Sequence, residues 1–400
     1  MTLTLEHYRS VAPRGTLDLL ERLSEPLKGK RVLHVNSTRS GGGVAEILHR
    51  LVPLMQELGL EARWETIEGN PFFYETTKKF HNGLQGNEQV ISPKMLEGFL
   101  EVNRWNREKI DLSADVLFIH DPQPIALVEG RTPESRWIWR CHIDASRPQR
   151  QVWSFLRQFV LRYDAGIVSL PKFAQRLPIP QFVVFPSIDP LSDKNRDLSH
   201  DEVIKILERL KIPMDRPILL QVSRFDRFKD PVGVIEAYKL IRRRNRCILV
   251  LAGGEATDDP EGAKVLEEVR SAAGGDPDIY ILLLPPTAHL EINALQRAAT
   301  LVFQKSIKEG FGLTVAEAMW KKKPVIGGFT GGITAQVIYG TTGYTVNSIE
   351  GAALRASFLL NNQDVMKKMG EDAHEYVRHR FLITRHIRDY LAISQHLLPR

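Results

Sequence analysis

One short pattern recurs along most of this chain, and it constrains the fold more than anything else. A brief apolar run breaks off in a polar or glycine-bearing cluster, and a stretch with helical periodicity follows. Arg31-Val32-Leu33-His34-Val35-Asn36 runs into Ser37-Thr38-Arg39-Ser40-Gly41-Gly42-Gly43. Val116-Leu117-Phe118-Ile119 runs into His120-Asp121-Pro122-Gln123-Pro124, and Trp137-Ile138-Trp139-Arg140-Cys141 into His142-Ile143-Asp144. Later, Ile218-Leu219-Leu220-Gln221-Val222 meets Ser223-Arg224-Phe225-Asp226-Arg227-Phe228-Lys229-Asp230, and Leu301-Val302-Phe303-Gln304 leads to Glu309. Strands that alternate with helices form parallel sheets, and such sheets bind ligands at the carboxyl ends of their strands. The polar clusters stand at those ends.

The same reading expects strands near residues 63–67, 166–169, 182–185, 248–252, 280–284 and 324–327. It expects helices after Gly43, where Val44, Ile47, Leu48, Leu51, Leu54, Met55 and Leu58 recur at helical spacing before Gly59. Residues 1–29 read as a helical arm with polar breaks that ends at Gly29, 72–106 as mostly helical, 231–241 as a helix, and everything beyond Gly332 as helix. Four hundred residues exceed one ordinary core. The expectation is therefore α/β architecture: two Rossmann-like, doubly wound parallel-sheet domains facing each other across a cleft. The boundaries are set at 1–190 and 191–375, with the proline-bearing polar stretch 186–195 as linker.

Composition excludes several classes. No segment approaches eighteen uninterrupted apolar residues, and Glu6, His7 and Arg9 interrupt the stretch where a signal peptide needs an apolar run. A cytoplasmic protein away from membranes is expected. The two cysteines, Cys141 and Cys247, lie in apolar runs and support neither a disulfide nor a zinc framework. A net charge of +6 is mild for this length, so Arg242-Arg243-Arg244 and Lys321-Lys322-Lys323 read as solvated faces, not nucleic-acid contacts. A small anionic substrate suits the balance.

The chemistry concentrates in a few places. Lys308-Glu309-Gly310-Phe311-Gly312-Leu313 leads into a helix that carries Glu317. Glycines let backbone approach a ligand, and a helix start offers unpaired N–H groups with a positive dipole end. Glu309 and Glu317 then hold a sugar and a ribose, or else are solvated acids at an ordinary junction. Arg224 and Lys229 offer two cations on one turn to a diphosphate, or form a plain basic surface turn. Gly41-Gly42-Gly43 fails as a nicotinamide loop, because Glu46 stands where that fingerprint needs its third glycine. It is a close-approach loop for sugar or phosphate, or a helix cap. Asp121 and His142 bind sugar hydroxyls, or serve as a turn former and a strand-end histidine. Asp276-Pro277-Asp278 reads as a turn, Asp258-Asp259-Pro260 as a turn or helix entry, and no metal is expected. No serine sits in a nucleophile elbow.

Together these stretches resemble the retaining GT-B glycosyltransferases of family 4 over nearly the whole chain. The specific motifs are Ser223-Arg224-Phe225-Asp226…Lys229 and Glu309-Gly310-Phe311-Gly312-Leu313…Glu317-Ala318. Within the family the likeness is to the trehalose glycosyltransferring synthases. It rests on His34 to Leu48, Phe80-His81-Asn82…Gly86, His120 to Pro124, Trp139 to Asp144, and Pro186-Ser187-Ile188-Asp189-Pro190-Leu191.

The resemblance implies reversible transfer of glucose from an NDP-glucose to free glucose, giving α,α-trehalose and NDP, with no cofactor or essential metal. It implies that Arg224 and Lys229 hold the diphosphate, Glu317 the ribose, and Glu309 with Gly310, Phe311, Gly312 and Leu313 the donor glucose. Gly42 and Gly43 join the donor side. His142 touches the donor sugar, and Asn36, Asp121, Gln123 and His142 line the acceptor side. Glu309, His142, Asp121, Arg224 and Lys229 make up the catalytic set. Retention in the family is attributed to front-face attack, in which the leaving phosphate oxygen takes the hydroxyl proton, so no protein nucleophile is assigned. The closing segment, roughly 376–400, would cross back to the first domain.

Two departures stand out. Asp230 puts a negative charge where the family more often has glycine, and Gly327-Gly328-Phe329-Thr330 replaces a run of small residues. The rivals are a trehalose phosphorylase of the same family, a dinucleotide-dependent oxidoreductase, and a non-catalytic sugar-nucleotide sensor. Homodimerisation is compatible with the chain, and the base of the nucleotide is not legible.

Overall fold

The computed structural model describes residues 3–40, 42–254 and 260–399, so Gly41, Asp258 and Asp259 lie outside the described residues. The chain divides into two compact units. One runs up to Ser187 and resumes at Ile383, and the other is Ile188–Leu382.

The first unit is built on a six-stranded parallel sheet in the order β2-β1-β3-β4-β5-β6. Its strands are β1 Arg31–Asn36, β2 Glu61–Thr66, β3 Val116–His120, β4 Arg136–Cys141, β5 Ala165–Val168 and β6 Gln181–Val183. The connecting helices start where the sequence supplies caps. Asn70 accepts from the Phe73 N–H (2.8 Å) ahead of the helix Pro71–Leu84, and Ser92 does the same for Pro93–Lys109 through Met95 (3.3 Å).

Alternation along the strands gives this sheet two different faces. Leu33, Val35, Leu117, Ile119, Trp137, Trp139 and Cys141 join an apolar cluster with Phe73, Phe80, Phe99 and Leu156. The intervening residues include His34, Phe118, His120 and Arg140, all buried. The closing helix Ile383–Leu397 covers this second face, where the Tyr390 ring stacks with Phe118 (4.5 Å between centroids) and His34 (5.9 Å). Arg385 on that helix donates to the carbonyl of Phe185 (2.7 Å), and Arg136 donates to that of Leu397 (2.9 Å). Residues 376–382 stay with the second unit, and the crossing falls between Leu382 and Ile383.

The second unit has another six-stranded parallel sheet, ordered β12-β11-β10-β7-β8-β9. Its strands are β7 Ile218–Val222, β8 Ile248–Gly253, β9 Ile279–Leu283, β10 Leu301–Gln304, β11 Val325–Gly328 and β12 Gly343–Val346. Its core joins Leu219, Leu249, Leu251, Phe303 and Ile326 to Val234, Ile235, Tyr238 and Ile241 of the helix Pro231–Arg242.

Several expectations need correcting. Residues beyond Gly332 are not all helix: β12 pairs in parallel with β11, Val325 opposite Gly343. The first boundary between the units falls between Ser187 and Ile188, inside the 186–195 stretch, and that stretch is tied down. Ile188 N–H bonds the Phe381 carbonyl (2.8 Å), and Asn195 is gripped by the ammonium of Lys321 (2.8 Å). Lys321 therefore does not belong to a solvated face. It is only 6% exposed, and burial pushes its pKa down. The arm at residues 1–29 is helical with breaks, in the segments Leu5–Ser10, Thr16–Ser24 and Glu25–Leu27. Both cysteines are buried and free. Among the described residues, no helix is long and apolar enough to cross a membrane.

Candidate active site

In an open parallel sheet the order in which strands are added reverses at one point, and the loops flanking that point diverge to leave a crevice. In the second unit the reversal lies between β7 and β10. The loops leaving those two strands carry Arg224 to Asp230 and Lys305 to Gly312. They meet through Lys229, whose Nζ lies 2.6 Å from Glu309 Oε2. The pair is mostly shielded, with side chains 19% and 10% exposed. Glu309 Oε2 also receives Ser306 Oγ (3.3 Å) and Gln304 Nε2 (3.5 Å), and Gln304 is anchored in turn by Thr314 (3.1 Å). Gln221 Nε2 holds the Lys229 carbonyl (2.8 Å).

Arg224 and Lys229 do not share one exposed turn. Arg224 reaches outward, 60% exposed and 3.6 Å from Asp226, whereas Lys229 turns inward to Glu309. Asp230 has two structural tasks. It occupies the left-handed region (φ 50°), capping the helix Pro231–Arg242 through Gly233 N–H (3.1 Å), and its carboxylate pairs with Lys305. Its charge is thereby matched by the loop that leaves β10, and its left-handed conformation is the one glycine adopts most readily.

The Glu309 loop is held from behind by a second glycine pair. A Cβ at Gly331 would stand 1.5 Å from the Glu309 carbonyl, and one at Gly332 would stand 2.4 Å from Phe311 Cα. Gly332 N–H bonds the Gly310 carbonyl (3.0 Å), and Gln336 Nε2 bonds that of Phe311 (2.6 Å). Gly312 (φ 81°) then starts the helix Leu313–Trp320, where the first backbone N–H groups are unpaired by the helix itself.

Glu317 lies in the second turn of that helix and is 2% exposed. Its Oε1 is 3.7 Å from Lys194 Nζ, and its buried Oε2 has no partner among the described residues. Lys321, one turn on, donates to the Glu317 carbonyl (3.1 Å) and to Gln296 (2.8 Å). A buried carboxylate oxygen with an empty hydrogen-bonding side is suited to a ligand hydroxyl.

In the first unit the reversal lies between β1 and β3. The loop after β1 reaches Gly42 (φ 82°) and the start of the helix Gly43–Glu57. Asn36 is 3% exposed and braces this loop: its Nδ2 donates to the Thr38 carbonyl (2.8 Å), and its Oδ1 accepts from Trp64 Nε1 (2.8 Å). Asp121, just past β3, has positive φ (65°) and accepts from the His142 N–H (2.7 Å), so the ends of β3 and β4 are tied. Burial raises its carboxyl pKa to about 6. Gln123 is half-buried, and its carbonyl accepts from Asn103 (3.1 Å).

His142 Nε2 lies 3.0 Å from His120 Nδ1, and His120 Nε2 lies 3.1 Å from His34 Nδ1. Burial pushes His34 down to about 3, and His120 and His142 also lie well below the ordinary range. His34, His120, Gln304, Ser306, Lys305, Lys194 and Lys321 were not singled out for these supporting parts. The available signal was polar side chains at strand ends and at alternating positions within apolar strands. Asp276 and Asp278 form a turn, with Arg216 2.9 Å from Asp278 and Arg242 paired to Asp276.

Similarity to other proteins runs over the same parts. Residues 34–175 match the family described as trehalose synthase, N-terminal domain, and residues 203–376 match glycosyl transferases group 1. The trehalose synthase of Pyrococcus horikoshii is 47% identical over 98% of this chain and 96% of its own length. That of Rubrobacter xylanophilus is 41% identical over 98% and 97%. A trehalose phosphorylase of Pleurotus pulmonarius is 28% identical, and the match spans 58% of its length. Among solved structures, an Escherichia coli protein described as trehalose-6-phosphate bound with UDP-2-fluoro glucose superposes with a TM-score of 0.75 at 13% identity. That match covers 92% of this chain and all of the other. A sucrose-phosphate synthase of Thermosynechococcus elongatus gives 0.70 at 16%, covering 92% and 99%. Both likenesses speak to the fold, which is GT-B.

Proposed function

The chain belongs to the trehalose synthase family of glycosyltransferases, and from that premise we propose that it moves glucose from an NDP-glucose to free glucose. The products are α,α-trehalose and NDP, the anomeric configuration is retained, and the reaction runs in both directions without an essential metal. One observation carries the reading: Lys229 and Glu309 meet across the reversal point of the second sheet, in the unit that matches glycosyl transferases.

The donor occupies the second unit in this reading. Arg224 and Lys229 face the diphosphate, whose negative charge grows as the bond to glucose breaks. Glu317 offers its unpaired oxygen to the ribose. Glu309 and the Gly310–Leu313 backbone hold the glucose, and Gly42 and Gly43 are read as donor-binding as well. Asp121, Gln123 and His142 bind sugar hydroxyls, with Asn36 shaping the loop beside them. Attack comes from the face the leaving group departs, and the departing phosphate oxygen takes the incoming hydroxyl proton. A cytoplasmic location and a homodimer belong to the same proposal.

The test is proton NMR of the protein with glucose and, in turn, UDP-, ADP- and GDP-glucose, without added metal. A single symmetric α,α-linked anomeric signal growing with NDP release is expected. Glucose 1-phosphate formed from trehalose and inorganic phosphate, with every NDP-glucose inert, would replace this reading by the phosphorylase. No turnover with firm donor binding would leave a sensor.

A further inference from the structure

We propose that His34 and His120 are positioning residues that fix the tautomer of His142, so that His142 presents its Nδ1–H as a hydrogen-bond donor to bound sugar. The role of His142 at the sugar rests on the reading above; the tautomer does not.

The three imidazoles form a head-to-tail chain. His34 Nδ1 faces His120 Nε2 at 3.1 Å, and His120 Nδ1 faces His142 Nε2 at 3.0 Å. The rings stack in support: His34 with Phe118 (4.9 Å) and Tyr390 (5.9 Å), and His120 with His142 (5.3 Å). Burial keeps all three neutral, and the fixed cation of Arg140 on the same face further disfavours a proton on His120 and His142.

A neutral imidazole has one N–H and one lone pair. Choosing the donor in one link therefore fixes every link, and only two polarities exist. In one, the His34 Nδ1–H donates to His120, the His120 Nδ1–H donates to His142, and His142 keeps its proton on Nδ1. In the other, every proton sits on Nε2, and His142 shows a lone pair at Nδ1.

The far end decides between them. His34 Nε2 is buried and has no hydrogen-bond partner among the described residues. The second polarity would place an N–H there with nothing to accept it. The first leaves only an unpaired lone pair, and orphaned buried N–H groups are the rarer and costlier case. The chain thus runs outward from the sheet interior and delivers a donor at its half-buried end. An N–H at that atom suits a sugar hydroxyl oxygen and makes the same atom unfit as a general base.

Long-range 1H–15N correlation spectra of the whole protein labelled at histidine read tautomers directly, with assignment by single His variants. The Nδ1–H form is expected at His34, His120 and His142. An Nε2–H at His142 overturns the proposal. His120→Phe keeps a ring in place and removes both links. In that variant His142 should shift towards the Nε2–H form, and kcat should fall about tenfold, the equivalent of about one hydrogen bond in the transition state. KM values should change less than about twofold. A folded His120→Phe protein with either an unchanged His142 tautomer or an unchanged kcat also overturns it. If this variant does not fold, the wild-type tautomer still decides. Expected tautomers in a wild-type protein that transfers no glucose would sink the proposed function while leaving the histidine chain in place.

Discussion

Lys229 Nζ sits 2.6 Å from Glu309 Oε2, bridging two loops that are 80 residues apart in sequence. Each side chain shields the other from water, so each is also the other's compensation for burial.

Replacing Lys229 by Met should therefore do two things. Turnover should fall at least a hundredfold, because the cation is missing where the diphosphate leaves. Stability should also fall, by about 2 kcal/mol, since Glu309 is left without its countercharge. Denaturant unfolding of Lys229→Met, Glu309→Gln and the double variant checks this. The double variant should lose less than the sum of the singles. Arg224→Ala, on a 60% exposed side chain, should lose turnover at nearly unchanged stability.

Glu317 separates two chemistries. Its unpaired Oε2 is expected to hold a ribose hydroxyl, so Glu317→Ala should raise the KM for the nucleotide sugar by roughly tenfold or more. A phosphorolytic reaction contains no ribose, and the same variant would leave it nearly untouched. Steady-state kinetics in both directions tell these apart.

Asp121 gives a pH signature. Its carboxyl pKa is raised to about 6 by burial, so the folded state holds a proton more tightly than the unfolded chain does. The contribution to stability is then fully present below the ordinary carboxylate pKa and is lost as pH rises through about 6. The difference in Tm between wild type and Asp121→Asn should accordingly fall between about pH 4 and pH 6 and flatten above. Glucosyl transfer, in which the ionised Asp121 carboxylate accepts from a sugar hydroxyl, should rise over that interval in the wild type.

Two glycines with positive φ should respond very differently. At Gly42 an added Cβ meets nothing within 4 Å, so the stability cost of Gly42→Ala should be backbone strain alone, about 1–3 kcal/mol. At Gly331 it would strike the Glu309 carbonyl at 1.5 Å, so Gly331→Ala should displace the Glu309 loop and abolish most activity. Thermal melts and rate measurements on the two variants make the comparison.

Much of the architecture was legible because parallel strands are apolar throughout and stop at polar clusters. The runs beginning at Arg31, Val116, Trp137, Ile218, Ile248 and Leu301 all lie in strands of the sheets. β12 was missed because Gly343–Val346 is four residues long and carries no apolar run of its own beyond Tyr344 and Val346. The second face of the first sheet was missed because His34, His120 and Arg140 look like interruptions in apolar strands. They become a buried polar layer only once the closing helix lies over them. Asp230 looked like a charge beside the phosphate site, and its partner, Lys305, is 75 residues away. The interlock of Gly331 and Gly332 with the Glu309 loop is equally non-local, and no spacing rule reaches it.

The helix Ile383–Leu397 that roofs His34 and Phe118 is synthesised only after the whole second unit. During translation the first sheet must wait with one polar and aromatic face open while the second unit emerges and folds. Maturation of the first unit is thus gated by a helix that follows the whole second unit in the chain. A stop codon near residue 383 would damage the part of the protein made first and leave the part made second with its own sheet complete.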